Sequence, residues 1–267
     1  MANDQLWFSY VNGLKTATIT SDSEVSSLPV TNIVDRLNYR VWRSQSETAY
    51  FRAEWAAAFT WQAIVLQFVS HRDPSSTAAD EIDPTDTIRI RASDVAAGGF
   101  ELLDATVNSD VIRERGYFGY VATSPISGRY LEVQINASSR SSLGYFNLGV
   151  AHVGPLFQPN SSFSIGAGIN FPEESLISVS PTGAATFADS RGRLLGFNAG
   201  FSLISESELD DWQAMQEAVG RTGPLALGMR TTGNLARKVM LGRFESLRFA
   251  MGENKLSSAQ AQILENR

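Results

Sequence analysis

Alternating apolar and polar residues recur along the chain and predict a mainly β protein. The run YLEVQIN at 130–136 places apolar and polar side chains at strictly alternate positions, which is the period of a strand with one buried face. A second run, Gly144–Val153, is rich in strand-forming residues and is interrupted by glycines. A polar segment separates the two runs. We therefore predict strands over Tyr130–Asn136 and Gly144–Val153.

Earlier segments carry the same signal. Thr60–Val69 is apolar at both alternate sets of positions, which predicts a central strand that is covered on both faces. Thr87–Ala92 alternates strictly, so its two arginines are expected to point outward, and Phe100–Val107 predicts a short strand.

The first residues predict a hairpin. Asn12-Gly13 lies between two strand-forming runs, 6–11 and 17–20. An Asn-Gly pair in this setting is typical of a tight two-residue turn, because both residues tolerate the left-handed backbone conformation that the turn requires.

One segment in the second half has helical periodicity. Its start carries Ser205 and Glu208 at capping-box spacing, and Gly220 marks its end. We predict a helix over 206–219 that buries one apolar face on a sheet. The residues of that face repeat at spacings of three and four: Leu209, Trp212, Met215 and Val219.

Beyond this helix the pattern returns to strands, predicted at Leu225–Met229, Arg237–Gly242 and Arg243–Met251. The terminal segment 253–267 has no assigned role. Within it, Ser257–Arg267 is expected to form either a short helix or a tail that becomes ordered on a neighbouring molecule.

The character of the sequence changes after Pro159, where a glycine-rich and serine-rich stretch begins. We therefore expect two domains. Residues 1–159 are predicted to form a β-sandwich, and residues 160–267 a second β domain that contains the single helix.

Composition narrows the possible partners. The formal net charge is −6 and the chain has no cysteine, so we expect neither disulfide bonds nor binding to free nucleic acid. The first residues have no basic or apolar segment of the kind found in signal peptides, and no apolar run has the length of a membrane span. Insertion into a membrane is therefore not expected.

No catalytic, cofactor or metal motif is found. The two histidines, His71 and His152, lie in no recognised catalytic frame, so both are interpreted as structural and the chain is not expected to be an enzyme. Loop 73–86 is rich in carboxylates, and its binding of a hard cation stays open beside a solvated acidic loop. Gly166 and Gly168 precede no helix, which argues against a dinucleotide site.

Residues 28–44, LPVTNIVDRLNYRVWRS, resemble the opening of a discoidin-like, galactose-binding jelly roll. In that family an Asn-hydrophobic-hydrophobic-Asp segment precedes a Trp that seals one end of the sandwich. The runs AIVLQF at 63–68, RYLEVQI at 129–135 and FNLGVAHVGPLFQP at 146–159 follow in a matching order. The resemblance implies that residues 1–159 form a discoidin-like jelly-roll β-sandwich.

The second half is similar to the tail-tube and distal-tail fold of siphophages and prophages. The similarity rests on LLGFNAGFSLISESELDDWQAM at 194–215, GPLALGM at 223–229 and KVMLGRF at 238–244. It implies a structural virion protein of a phage tail tip or baseplate. Such a protein would form a homo-oligomeric ring, contact other tail-tube and baseplate proteins, and reside in the virion tail after assembly in the host cytoplasm.

The alternative function is a carbohydrate-binding module that attaches to host-surface glycans. Exposed aromatic rings would then stack on sugar faces, and the candidates are Trp42, Trp55, Tyr117 and Tyr120. A structural role for the same aromatics stays open, because aromatic residues at strand spacing normally pack in a core. Trp42 lies between two arginines in the sequence, and two interpretations stay open for its side chain. It either plugs one end of the sandwich or forms an exposed ligand-binding platform.

Overall fold

The computed structural model describes residues 6–34, 40–69, 82–95, 99–110, 116–138, 144–160, 168–170, 176–179, 185–189, 196–220, 223–232, 235, 238–251 and 257–265. The chain divides into two compact units. Unit 1 comprises residues 1–158 and 225–241, and unit 2 comprises residues 159–224 and 242–267. The described residues confirm the predicted mainly β fold with one helix.

Unit 1 is built from strands and two short 3-10 helices, Gly13–Thr16 and Val30–Val34. Its strands in chain order are β1 (Trp7–Ser9), β2 (Thr18–Ser21), β3 (Trp42–Arg43), β4 (Thr48–Phe68), β5 (Thr87–Ser93), β6 (Leu103–Asn108), β7 (Tyr117–Asn136), β8 (Asn147–Gly154) and β13 (Leu225–Gly228).

The two longest strands, β4 and β7, pair antiparallel along their whole lengths. Hydrogen bonds join seven of the described strands into one continuous sheet. The pairing of β4 with β7 is interrupted between Glu54 and Phe59, and this break divides the sheet into two parts, the larger and the smaller sheet. The larger sheet has the order β2, first part of β4, last part of β7, β5, β6. The smaller sheet has the order β3, β8, last part of β4, first part of β7.

The facing sides of the two sheets enclose one hydrophobic core. The larger sheet contributes alternate residues of β4, β5 and β7, among them Phe51, Ile90 and Val133. The smaller sheet contributes Ile64, Leu66 and other residues of β4 and β8. This alternation is the period-two pattern that the sequence shows.

The smaller sheet is buried on its other face as well. Val65, Gly119 and His152 lie side by side on that face. Leu235 and Val239 approach it so closely that a Cβ on Gly119 would lie 2.8 Å from Val239 and 3.0 Å from Leu235. The double coverage explains why β4 is apolar at both sets of alternate positions, as predicted.

The predicted Asn12-Gly13 hairpin is wrong. Strand β1 pairs with β13, and Asn12 instead caps the first 3-10 helix. The Asn12 amide donates to the carbonyl of Ala151 (2.9 Å), and its Oδ1 accepts from the N–H groups of Leu14 and Val153 (3.2 Å each). The Asn12 side chain, which a hairpin turn would leave exposed, is therefore buried in hydrogen bonds to the backbone of a distant strand.

In unit 2 the sheet has the order β14, β15, β12, β9, and a separate pair joins β10 with β11. The elements are β9 (Gly168–Asn170), β10 (Leu176–Val179), β11 (Ala185–Asp189), β12 (Gly196–Ile204), α1 (Glu206–Val219), β14 (Val239–Met251) and β15 (Ser257–Glu265). The first residues of β14, through Leu241, belong to unit 1.

Helix α1 has the predicted bounds, and Ser205 caps it by accepting from the Glu208 N–H (3.3 Å). Glu208 does not complete the capping box. Its buried carboxylate accepts from Asn160 N–H (3.3 Å) and from the indole of Trp212 (3.4 Å). The four residues assigned to the apolar face, Leu209, Trp212, Met215 and Val219, are all buried.

The expectation that Ser257–Arg267 forms a short helix, or a tail that becomes ordered on a neighbouring molecule, is wrong. Ser257–Glu265 forms β15, which pairs with both β12 and β14. Ala259, Ala261 and Ile263 are buried at alternate positions. This short period-two pattern decides the conformation, because two neighbouring strands supply hydrogen bonds on both sides of β15.

Asn12→Ala tests the tertiary capping role. The substitution leaves two buried backbone N–H groups and one carbonyl without their partner, so we expect the free energy of unfolding to fall by about 2 to 4 kcal/mol. Urea titration measures the loss. The matched control is Asn136→Ala, which removes one exposed hydrogen bond to Thr48 and is expected to cost less than about 1 kcal/mol. Equal losses in the two variants would contradict the assignment.

Candidate functional site

A groove of about 570 Å³ lies in unit 1 at the open side of the sandwich. Its walls come from three parts of the chain: the end of β6 with the following turn, the start of β7, and the residues Thr231, Thr232 and Leu235. The groove exists because β5 pairs only with the last part of β7. The first part of β7 is therefore an edge of the smaller sheet, and β6 is an edge of the larger one.

Two of the described residues that line the groove are aromatic: Phe118, which is buried, and Tyr120. Tyr120 pairs with Ile64 of β4, on the core side of the smaller sheet, and packs against the core cluster. Because it stands on an edge strand, its side chain is half-buried rather than enclosed. Burial raises the pKa of the Tyr120 phenol, so the hydroxyl stays protonated near neutral pH and can donate a hydrogen bond.

Polar residues line the rest of the groove. Thr106, Asn108 and Thr232 are exposed, and Asp110 is half-exposed. Along β6, Thr106 and Asn108 alternate with Val107, which packs against the core, so they border the groove from the outer side of their sheet. The groove lining thus includes hydroxyl, amide and carboxylate residues. These are the groups that hydrogen-bond to a polyhydroxylated ligand.

The turn that carries Asp110 is fixed by hydrogen bonds beneath the groove. Ser109 is buried, its hydroxyl donates to the carbonyl of Asp83 (2.6 Å), and its N–H donates to the carbonyl of Asp86 (2.6 Å). Asp110 has a φ of 49°, and its N–H donates to the carbonyl of Pro84 (3.1 Å). The left-handed conformation is one that Asp and Asn adopt more readily than other residues with side chains.

Of the four aromatic residues that were candidates for stacking on a sugar, the structure brings only Tyr120 to the groove. Trp42 is buried against Phe51 and Phe146, and its indole donates to Ser23 O (3.0 Å). Trp42 is therefore a buried plug of the sandwich and not an exposed ligand platform. The guanidinium of its neighbour Arg43 stacks on the ring of Tyr145.

Trp55 and Tyr117 are also buried. The Trp55 indole stacks on Phe59 and donates to the carbonyl of Gly13 (2.8 Å). Tyr117 lies on the covered outer face of the smaller sheet, opposite Gln67. None of the three buried rings presents a face to solvent, so they cannot stack on an external sugar.

The polar groove residues Thr106, Asn108, Asp110 and Thr232 were not identified from the sequence. Asn108-Ser109-Asp110 is a run of turn-forming residues, and this was the only available signal. Its position beside Tyr120 depends on how β6 and β7 are placed in the two sheets, which no local pattern specifies.

His152 meets a serine but not in an accessible site. Its Nε2 lies 2.9 Å from Ser9 Oγ, and both residues are buried between the smaller sheet and β1. Burial, with a smaller contribution from Lys15, lowers the pKa of His152 to about 3. The pair therefore joins β1 to β8 through a neutral hydrogen bond. His71 lies outside the described residues.

The acidic loop is described only from Ile82 onward. There Asp83 and Asp86 stabilise the turn, since Asp86 Oδ2 accepts from the Asp83 N–H (2.9 Å) and Asp83 Oδ1 accepts from Thr85. Within the described ranges, no group of three or more His, Cys, Asp or Glu residues is placed to hold a metal ion. Over the same part of the chain, no helix is both long and apolar enough to cross a bilayer.

Searches for known relatives gave structural likeness only. No protein-family model matches the sequence, and no curated protein matches it. Solved structures that are similar include three carbohydrate-binding domains.

A family 32 carbohydrate-binding module of NanJ from C. perfringens, in complex with galactose, is 12% identical, covers 55% of this chain and 98% of its own, and has a TM-score of 0.39. The lectin domain of lectinolysin in complex with Lewis B antigen is 11% identical, covers 55% of this chain and 98% of its own, and has a TM-score of 0.42. A pectin-binding carbohydrate-binding module is 10% identical, covers 51% of this chain and 88% of its own, and has a TM-score of 0.36. Likeness at this level carries no argument about residues or ligands.

The burial of neutral His152 predicts acid sensitivity. The unfolded chain takes up a proton near pH 6.5, whereas the folded chain does so only near pH 3. Stability is therefore fully present above pH 6.5 and falls as the pH drops toward 3, with a slope of up to ~1.4 kcal/mol per pH unit. Urea titrations of the wild type and His152→Gln from pH 7 to pH 5 measure the difference. Parallel stability curves would contradict the assignment.

Proposed function

We propose that this chain is a non-catalytic glycan-binding protein and that unit 1 holds a saccharide in the groove beside Tyr120. The observation that carries the proposal is a groove that is lined by the half-buried Tyr120 ring and by residues with hydroxyl, amide and carboxylate groups. A sugar presents C–H groups on one face of its ring and hydroxyls around its edge. The groove offers a matching aromatic surface and matching polar groups.

Binding rather than cleavage is favoured by the carboxylates present. Among the described residues that line the groove, Asp110 is the one carboxylate. Hydrolysis of a glycosidic bond generally requires a pair of carboxyl groups on opposite sides of the bond. The buried Ser9–His152 pair offers no alternative nucleophile that a saccharide could reach.

The similar solved structures include domains bound to galactose and to Lewis B antigen. They are similar to this chain only at low identity, so the proposal rests on the groove and not on them.

A ring-forming role in a phage tail tip, with host-surface glycans as the ligands, stays a prediction from the sequence pattern. If the chain self-assembles as predicted, mass photometry will show discrete oligomers. A chain that remains monomeric at high concentration would contradict self-assembly.

A glycan array with the full chain identifies the neutral glycans that bind, and calorimetry on the hits measures affinity. We expect Tyr120→Ala to weaken binding by about tenfold or more, corresponding to ~1.4 kcal/mol of lost stacking and hydrogen bonding. Asp110→Asn keeps the left-handed backbone and the shape of the side chain, so any loss it causes reports on the carboxylate.

The matched control is Tyr145→Ala, which removes a half-buried tyrosine from a surface outside the groove, where it stacks with Arg43. The affinity of Tyr145→Ala for the glycan should equal that of the wild type. Thermal unfolding of each variant checks that it is folded. The proposal is overturned if no glycan binds, or if Tyr120→Ala binds as tightly as the wild type.

A further inference from the structure

A row of charged side chains crosses the solvent side of the larger sheet, away from the groove aromatics. Cross-strand pairing places the side chains of neighbouring strands next to one another. In order from β4 to β6, the row is Arg52, Glu132, Arg91 and Asp104, and the uncharged Thr20 of β2 lies beside Arg52. All of these positions alternate with residues that point into the core, so they share the outer face.

Glu132, at the centre of this row, is only 1% exposed although it lies on the outer face. Arg52 covers it from β4, with its Nη2 2.6 Å from Oε2. Arg91 covers it from β5 and donates to Oε1. Asp104, beside Arg91, is paired with Arg89 at 2.6 Å, so the Arg52–Glu132–Arg91 cluster keeps one positive charge in excess.

Aromatic rings hold the two guanidinium groups in place. The ring of Phe100 lies 4.2 Å from the Arg91 guanidinium carbon, and Phe100 adopts a φ of 35°, which is unusual for a bulky residue. The ring of Tyr50 lies 5.4 Å from the corresponding carbon of Arg52. Much of the conformational entropy that ligand binding would otherwise cost is thus already lost.

The guanidinium groups keep unused hydrogen-bonding capacity. Each has five N–H donors, and among the described residues each donates to Glu132 alone. The side chains of Arg52 and Arg91 are 28% and 21% exposed. The Nε of each guanidinium is buried, so the donors that remain at the solvent side of the cluster are those of the Nη atoms.

The charge balance identifies the ligand chemistry. One carboxylate would neutralise the excess charge, and its planar oxygen pair matches the fork of a guanidinium. Polyanions are disfavoured, because Glu54 and Asp104 flank the Arg52–Glu132–Arg91 cluster and the whole chain carries a net charge of −6.

We infer that the Arg52–Glu132–Arg91 cluster is a second ligand-binding site, which binds the carboxylate of a uronic acid residue in an acidic saccharide. The choice of a saccharide as the carrier of the carboxylate rests on the proposed function. The charge complementarity that selects a carboxylate does not rest on the groove.

The experiment compares acidic trisaccharides of galacturonate, glucuronate and mannuronate with their fully methyl-esterified forms. Calorimetry at low ionic strength uses the full chain. We expect at least one acidic form to bind about tenfold or more tightly than its neutral ester, and this preference to decrease as salt is added. Arg52→Gln and Arg91→Gln should each abolish the preference.

Arg89→Gln is the matched control. Arg89 lies on the same face, but its guanidinium pairs with exposed Asp104 at 2.6 Å. This variant should keep the preference for the acidic form. Thermal unfolding verifies the fold of all three variants, since loss of one arginine leaves Glu132 with a single partner.

The outcomes separate the two proposals. Binding of acidic and neutral forms with equal affinity, unaffected by the arginine substitutions, overturns the second site and leaves the groove standing. A preference for the acidic form that depends on both arginines but survives Tyr120→Ala supports the second site and is independent of the groove. Failure of all the acidic saccharides to bind overturns the inference.

Discussion

The antiparallel pairing of β4 with β7 is the constraint on which the sandwich depends. Both strands begin in one sheet and end in the other, and their pairing continues on both sides of the break at Glu54–Phe59. The two sheets are thereby linked through two paired strands rather than by packing alone. The apolar faces of both sheets must then oppose each other, and the buried residues of the two sheets do form a single cluster.

The same constraint determines which aromatic rings reach solvent. A strand that crosses between sheets has neighbours on both sides over only part of its length. Phe51 of β4 has a paired strand on both sides, β2 and β7, and is fully buried. Tyr120 points to the core side as well, yet it stands where β7 is an edge, and it remains half-exposed. Exposure is therefore a consequence of topology and not of residue type, which is why four aromatic candidates reduce to one.

Local patterns in the sequence predicted much of the fold. Period-two alternation located β5 and the last part of β7, and the spacing of apolar residues with the Ser205 cap gave the exact bounds of α1. These signals work because a half-buried strand or helix repeats its environment at a fixed period. The patterns did not show that separate apolar runs join into the single strands β4 and β7, since the residues between those runs lack the alternation.

Predictions failed where a distant contact outweighed a local preference. Asn12 has the sequence of a turn residue, but its side chain is held by the backbone of β8, more than a hundred residues away in the chain. The short β15 was read as a helix or tail because its strand character depends on two partners. The candidate site also depends on contacts between distant parts of the chain. Tyr120 was among the predicted aromatic candidates. The polar residues of the groove come near it only through the pairing of β6 and β7 within their sheets.

The burial of Glu132 is a further feature that depends on strand register and not on local sequence. In the sequence it is one of the polar residues of an alternating strand, with no sign that it is buried. Register places it between Arg52 and Arg91, and the arginine stems and guanidinium groups then exclude water from its carboxylate. Such an ion triplet adds little net stability, because desolvation of the charges offsets most of their attraction, and apolar side chains at the same positions are often as stable or more stable. The arrangement is therefore better explained by what two oriented guanidinium groups can bind on the solvent side than by any contribution to the sheet beneath them.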